Sequence, residues 1–189
     1  LVELFKNNTM TFVAGSSWQP DEDLFIEYFN QHPEGKLVIA PHVIDENHLV
    51  EIIRKLKRPY VRYTRADEKN VRKADCLIID CFGLLSSIYR YGEIAYIGGG
   101  FGVGIHNTLE AAVYGIPVIF GPKYQKFQEA IQLLEAKGAF SVKDYEELKT
   151  LLDRMLTDEV FLRESGMNAS NYVTGNAGAT DKIMSMINF

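Results

Sequence analysis

The chain is short of cysteine, of positive charge and of long apolar runs, and each shortage excludes a class of protein. Its two cysteines, Cys76 and Cys81, are five residues apart around a predicted strand. Because an odd separation on a strand puts two side chains on opposite faces, we expect no disulfide between them. We interpret them as core thiols of a protein from a reducing compartment.

Lysine and arginine number 20 against 25 aspartates and glutamates, which gives a net charge of −5. This balance argues against a nucleic-acid partner, because no basic cluster interleaves with aromatic residues as a single-strand groove requires. No apolar run is long enough to span a membrane, and no signal peptide opens the sequence. The first residue is Leu1 rather than methionine, and we expect the chain to be a fragment of a longer protein.

What is present can fill the core of one sizeable domain, since 47% of the 189 residues are hydrophobic. Short apolar runs alternate with amphipathic stretches, and most of the runs are continuous, as is typical of parallel strands covered on both faces. The predicted strands are 11–14, 37–40, 60–63, 76–80, 94–97 and 117–120. The predicted helices are 21–31, 45–56, 84–90, 107–114 and 125–136, followed by a wholly helical tail from Asp144 onward. This order predicts one α/β domain with a doubly wound, Rossmann-like parallel sheet.

The most informative segment, residues 96–122, reads as a buried strand, a glycine loop, a helix and a second buried strand. A glycine loop that leads into a helix N-terminus can bind phosphate, because free backbone N–H groups and the helix dipole face the anion. Glu110, about one turn into the helix, is suited to hold two adjacent sugar hydroxyls. The spacing of the glycines matches neither the dinucleotide fingerprint nor the P-loop. Two simpler interpretations stay open: the glycines allow a tight turn, and Asn107 with Glu110 forms a capping box.

Three other loops fall at the carboxyl ends of predicted strands, where doubly wound sheets bind ligands. Ser16 and Ser17 follow the first strand, His42 follows the second, and Gly83 follows the fourth. Each has a structural alternative: a helix cap, a structural histidine and an ordinary loop glycine. Lys123 and Lys126 could neutralise an acidic ligand.

No catalytic acid–base pair and no metal site stand out, because His106 and Glu110 alone are too few for zinc. We therefore predict no catalytic residue, no metal and no cofactor in this chain, and interpret it as half of an active site. The predicted substrate-binding residues are Ser16, Ser17, His42, Gly83, Leu84, Leu85, Gly104, His106, Asn107 and Glu110.

Three motifs carry a family resemblance: GGG at 98–100, HNTLE at 106–110, and GIPVIFGP at 115–122 with Phe127 soon after. With them the chain resembles the C-terminal lobe of 3-deoxy-D-manno-octulosonic acid (Kdo) transferases, which are two-lobed glycosyltransferases of the B-type fold. The resemblance extends over almost the whole chain. It implies transfer of Kdo from CMP-Kdo to a lipid A precursor, in lipopolysaccharide biosynthesis at the cytoplasmic face of the bacterial inner membrane.

The resemblance also implies roles for particular residues. Glu110 would bind the ribose hydroxyls, while Ser16, Ser17 and Asn107 would surround the phosphate. Main-chain groups of Gly83, Leu84 and Leu85 would face the cytosine. The sequence departs from the family where His42 replaces a frequent arginine after Pro41, and where Lys126 replaces a frequent asparagine.

The resemblance makes residues 1–189 a single donor-binding domain and leaves the N-terminal lobe outside the chain. That missing lobe would carry the acceptor site, the catalytic carboxylate and the membrane contact. Two other functions stay open: a lobe of a UDP-sugar glycosyltransferase or UDP-N-acetylglucosamine epimerase, and a nucleotide-binding module without catalysis.

Overall fold

A computed structural model describes residues 1–176 of the chain. Its centre is a seven-stranded sheet in which every neighbouring pair is parallel, in the order β3-β4-β2-β1-β5-β6-β7. The strands are β1 (Thr11–Ser17), β2 (Lys36–Pro41), β3 (Tyr60–Arg62), β4 (Cys76–Ile78), β5 (Ile94–Ile97), β6 (Val118–Phe120) and β7 (Ala139–Ser141). The predicted doubly wound α/β fold is confirmed.

Helices cover both faces of this sheet. They are α1 (Val2–Lys6), α2 (Gln19–Gln31), α3 (Glu46–Lys55), α4 (Glu68–Val71), α5 (Leu85–Ile88), α6 (Leu109–Ala112), α7 (Gln128–Glu135), α8 (Tyr145–Thr157) and α9 (Glu159–Asn176). Two short 3₁₀ turns, Tyr63–Arg65 and Tyr89–Tyr91, follow β3 and α5. Among these described elements, no helix combines the length and the apolar character needed to cross a bilayer.

Adjacent residues of each strand contribute to two separate cores, because successive strand side chains point to opposite faces. On one face Val13, Val38, Leu77, Ala95 and Val118 pack with α1, α5, α6, α7 and α9. On the other face Ala14, Ile39, Ile78, Tyr96 and Ile119 pack with α2, α3 and α8. All six residues of β2 are buried, which is why the central strands read as continuous apolar runs.

All six predicted strands are present, but several boundaries differ. β1 continues through Gly15, Ser16 and Ser17, which the sequence placed in a loop, and its register shifts between Gly15 and Ser17. The fourth strand ends at Ile78 rather than Asp80, because the Asp80 carboxylate turns to Arg62 and Thr64. The edge strand β7 was missed; three residues between a glycine and a helix give too short a pattern.

The predicted long helices are present, and the predicted helix 84–90 corresponds to α5 and the 3₁₀ turn that follows it. The one-turn helices α1 and α4 were missed, and the predicted helix 107–114 is regular only over α6. The predicted helical tail corresponds to α8 and α9, and its final residues, 177–189, lie outside the described part of the chain. Cys76 and Cys81 are both free thiols, as the spacing predicts.

Candidate functional site

The strand order reverses between β1 and β5, and the loops after these two strands meet at the carboxyl edge of the sheet. The N–H of Gly98 donates to the carbonyl of Gly15 at 2.9 Å. A Cβ atom at Gly98 would lie 2.3 Å from the carbonyl oxygen of Ser16, so only glycine permits this approach. Such a reversal point is where open α/β sheets bind ligands.

The two serines after Gly15 have different surroundings. Ser16 is partly exposed and has a left-handed backbone, with φ of 52°. Ser17 is fully buried, and its hydroxyl donates to Oε1 of Glu22 at 2.9 Å. The Ser17 carbonyl accepts the N–H of His42 at 2.9 Å and so ties the end of β1 to the loop after β2. Ser16 is therefore the more accessible of the two serines, and Ser17 holds the end of β1 against its neighbours.

A cavity of about 230 Å³ opens beside Ser16 between the loops that follow β1, β2 and β4. The φ of Gly83 is 85°, and no atom would contact a Cβ placed there, so the glycine serves the backbone turn. The Phe82 side chain is 82% exposed at the same loop. The cavity brings together several residues predicted from separate loops. It is lined by Ser16, Ala40, Pro41, His42, Ile44, Ile79, Cys81, Phe82, Gly83 and Leu85.

The glycine loop after β5 uses its own amides. The N–H groups of Gly102 and Gly104 both donate to the carbonyl of Gly99 at 3.0 Å, and that of His106 donates to Gly98 at 3.3 Å. Gly99 and Gly104 have φ values of 94° and 110°, which favour glycine. The amides of Gly102, Gly104 and His106 are therefore bonded within the turn itself.

Asp21 joins the glycine loop to α2. The Asp21 carboxylate accepts hydrogen bonds from the Tyr96 hydroxyl at 2.9 Å, from the Gly99 N–H at 2.9 Å and from the Trp18 N–H at 3.0 Å. The side chain is fully buried, and burial raises the pKa of Asp21 although the Gly99 and Trp18 donors oppose the shift. These bonds fix the glycine loop against the first turn of α2.

Three aromatic rings stack at the mouth of the site. The ring centroids of Trp18 and His42 are 4.7 Å apart, and those of His42 and His106 are 4.5 Å apart. The indole Nε1 of Trp18 donates to Nε2 of His106 at 3.4 Å. Burial lowers the pKa of His106, the neighbouring His42 lowers it further, and Asp21 opposes both. The stack joins two histidines that are far apart in the sequence.

The segment that leads into α6 carries Asn107 and Glu110. The Asn107 side-chain oxygen accepts the N–H of Leu109 at 3.0 Å, and its amide nitrogen donates to Oε1 of Glu110 at 3.3 Å. The Asn107 side chain therefore binds the first N–H of the helix, which begins at Leu109, with Thr108 at the N-cap position, rather than at Asn107. The Glu110 carboxylate lies on this first turn, partly exposed, as the sequence placed it.

A second cavity, of about 250 Å³, lies on the other side of the glycine loop. Lys123 donates from Nζ to the carbonyl of Gly102 at 3.1 Å, while Lys126 is exposed. A Cβ at Gly104 would lie 3.1 Å from the Phe127 ring, so this glycine also permits close packing. The lysines predicted to meet an acidic ligand thus lie next to the loop.

Sequence reasoning missed Trp18, Asp21 and Tyr96 at this site. Trp18 is the only tryptophan in the chain and directly follows the Gly-Ser-Ser loop, and Asp21 is three residues further on, at a capping distance. These two signals could have been noticed. The third could not, because the hydroxyl of Tyr96 reaches Asp21 across 75 residues of sequence.

Comparison with known proteins identifies a family of relatives. No family model matches the sequence. A 3-deoxy-D-manno-octulosonic acid transferase from Aquifex aeolicus (strain VF5) is 34% identical over 151 residues, which are 77% of this chain and 41% of that protein. The C-terminal CMP-Kdo binding domain of WaaA from Acinetobacter baumannii matches with a TM-score of 0.77 and 18% identity, over 90% of this chain and 92% of that domain.

The chain is a homologue of the C-terminal lobe of Kdo transferases. It spans less than half the length of the Aquifex aeolicus relative. The lobe shares its fold with other glycosyltransferases. Anabaena Alr3699/HepE, in complex with UDP and glucose, matches with a TM-score of 0.67 and 13% identity, over 97% of this chain and 50% of that one.

Proposed function

We propose that the chain is the donor-binding lobe of a glycosyltransferase that moves Kdo from CMP-Kdo to a lipid A precursor. The observation that carries the proposal is the combination of 34% identity to a Kdo transferase with the fold of a CMP-Kdo binding domain. The loops at the carboxyl edge support it, since His42 lines a cavity there and stacks on His106, which precedes the helix that carries Glu110.

The nucleotide is assigned to three neighbouring parts of this edge. The cytosine faces main-chain groups of Gly83, Leu84 and Leu85, beside the cavity that Gly83 and Leu85 line together with Ser16 and His42. The ribose hydroxyls bind the carboxylate of Glu110, which accepts two hydrogen bonds from adjacent hydroxyls at little geometric cost. The phosphate is assigned to Ser16, His42, His106, Asn107 and the first turn of α6. Ser17, Asp21 and Gly104 contribute by fixing the loops.

The same edge stabilises the departing group. When the bond between the sugar and the phosphate breaks, negative charge develops on the CMP. Hydrogen-bond donors and a helix N-terminus held in place before the reaction stabilise such a charge without reorganisation. Asp21 and Asn107 hold the loop and the helix terminus in position. The lobe thus binds the donor and supports the leaving group.

The acceptor site, the catalytic carboxylate and the contact with the inner membrane are assigned to an N-terminal lobe outside this chain. No residue of the described lobe is given the role of acid or base. In the assembled enzyme the reaction would take place at the cytoplasmic face of the membrane, with the donor held between the two lobes. The lobe alone is expected to bind CMP and to transfer no sugar.

Replacement of Glu110 by alanine tests the assignment of the ribose. Within residues 1–176 the Glu110 carboxylate accepts one hydrogen bond, from Asn107 at 3.3 Å, so the fold loses little and the melting temperature stays within about 2 °C of the wild type. The affinity for CMP, measured by calorimetry, is expected to fall roughly 10- to 100-fold, as for two lost hydrogen bonds to a charged group. Glu159→Ala is the matched control, because Glu159 is exposed in the first turn of α9. Unchanged affinity for CMP in Glu110→Ala would mean that Glu110 does not bind the ribose and only contacts Asn107.

A further inference from the structure

The stack of Trp18, His42 and His106 fixes how the protons of the two imidazoles are arranged. An indole N–H can only donate, so the Nε2 atom of His106, 3.4 Å from it, has to accept. The neutral His106 ring therefore carries its proton on Nδ1. This nitrogen is a donor that does not depend on pH as long as the contact with Trp18 persists.

The stack holds one positive charge more readily than two. Two imidazole rings with centroids 4.5 Å apart repel each other if both are protonated. His106 is the poorer candidate for the charge, because it is partly buried and its Nε2 already accepts the indole proton. His42 is exposed, and its ring lies on the indole face of Trp18, where a cation is attracted by the ring quadrupole.

Few other titratable groups face these rings among the described residues. Asp21, from α2, lies behind His106 and favours a positive charge on that ring, but the net shift of the His106 pKa is downward. Cys81, from the loop after β4, lines the same cavity as His42, and burial raises the pKa of this thiol and keeps it neutral. Glu22 and His48 form a separate pair at 2.9 Å around the buried Ser17 hydroxyl. His42 therefore has no carboxylate among the residues that line its cavity.

We propose that the Trp18–His42–His106 stack takes up one proton, on His42, when the phosphate of the sugar nucleotide binds. A phosphate bound at this edge places a negative charge next to His42 and so favours the imidazolium form of that ring. Neutral His106 then donates from Nδ1 while protonated His42 supplies the charge. Trp18 acts as a positioning residue for both rings. The inference rests on the proposed donor site, because it needs a phosphate at this edge.

Proton uptake can be measured directly by calorimetry. The lobe is titrated at pH 7.5 in two buffers of different ionisation heat, first with CMP and then with the methyl ester of CMP. The methyl ester is a phosphodiester like the sugar-linked donor, and its single charge does not titrate near neutral pH. We expect a fraction of one proton to be taken up with either ligand. If one proton is taken up with the ligand, affinity for the methyl ester falls as the pH rises above neutrality, by up to about tenfold per pH unit, the limit for one coupled proton.

Two variants separate the stack from the other histidines. His42→Gln is expected to bind the methyl ester more weakly and to take up no proton. His32→Gln is the control, because His32 lies at the far end of α2 against Tyr28 and Asp153, and its proton uptake should equal that of the wild type. Trp18 is the only tryptophan, so its fluorescence reports this stack alone, and its change with pH near neutrality should be smaller in His42→Gln than in the wild type.

The outcomes distinguish a failure of the proposed donor site from a failure of the proposed proton uptake. If neither CMP nor its methyl ester binds, the proposed donor site itself is wrong. If the methyl ester binds without proton uptake, or with the same uptake in His42→Gln, the site stands and the proton-coupled stack is refuted.

Discussion

Replacing Gly98 by alanine should damage both the stability and the binding site of the lobe. The added Cβ would lie 2.3 Å from the carbonyl oxygen of Ser16 and 2.5 Å from the Cα of Ser17. Both are backbone atoms, so neither can rotate out of the way. Ordinary contact begins at 3.4 Å, so β1 and β5 would have to separate by about 1 Å at their carboxyl ends.

The cost follows from this displacement. Forcing an extra methyl group into a packed site costs about 1–3 kcal/mol. For a domain of this size that corresponds to a fall in melting temperature of roughly 2–12 °C. The same shift moves Ser16 away from the glycine loop and should weaken CMP binding by more than the stability loss alone explains. Thermal unfolding and calorimetric titration of one preparation measure both effects.

Gly102→Ala is the matched control in the same loop. A Cβ at Gly102 would meet no atom within 4 Å, and neither Gly98 nor Gly102 has a positive φ, so the two substitutions differ in steric contact and not in backbone strain. Gly102→Ala should leave the melting temperature and CMP affinity near the wild-type values. If Gly98→Ala behaves like Gly102→Ala in both assays, the close approach of the two strands is not what shapes the site.

Two further predictions concern buried carboxylates. Asp21→Ala should lower the free energy of unfolding by about 2–5 kcal/mol, because the Gly99 N–H and the Tyr96 hydroxyl lose their acceptor. Asp21→Asn keeps an acceptor for the Gly99 N–H and should cost less than half as much. Equal losses for the two variants in denaturant titrations would refute this role of Asp21. Burial opposes ionisation of Asp80, but donors from Thr64 and Arg62 hold its pKa below the ordinary value of 3.8. The ionised Asp80 carboxylate therefore stabilises the fold above pH 3.8, and this stabilisation is lost as the pH falls below that value. Asp80→Asn should make the free energy of unfolding less dependent on pH on the acid side. An unchanged slope in the variant would contradict this prediction.

The sequence predicts the sheet well because the central strands are buried on both faces. After Lys36, β2 is a continuous apolar run, as is β5, and Gly35 and Gly98 lie directly outside these two strands. The edge strand β7 has only one fully buried residue of three, so its composition does not distinguish it from a loop. The hydrophobic pattern therefore predicts the central strands of the sheet but not the edge strand β7.

The site is predicted less completely, because residues that act together are far apart in the sequence. The segments that carry Ser16, His42 and Gly83 could be placed at one edge from the strand pattern alone, although Ser16 belongs to the end of β1 rather than to a loop. The hydrogen bonds of the glycine loop could not be predicted, and they assign the Gly102 and Gly104 amides to the loop itself. Nor does any local pattern place Trp18 on His42, which depends on the register of β1 and β2.

Titration of the lobe with CMP and with UMP, at the same concentrations in one calorimetric experiment, tests the central claim most directly. Cytosine and uracil differ in the hydrogen-bond donors and acceptors at the base edge that the main chain of residues 83–85 would face. The ribose and phosphate of CMP and UMP are identical, so a difference in affinity reports contacts with the base. The account predicts saturable CMP binding with at least about tenfold preference over UMP, the difference expected for one or two hydrogen bonds. Equal or tighter binding of UMP, or no binding of CMP at millimolar concentration, would contradict it.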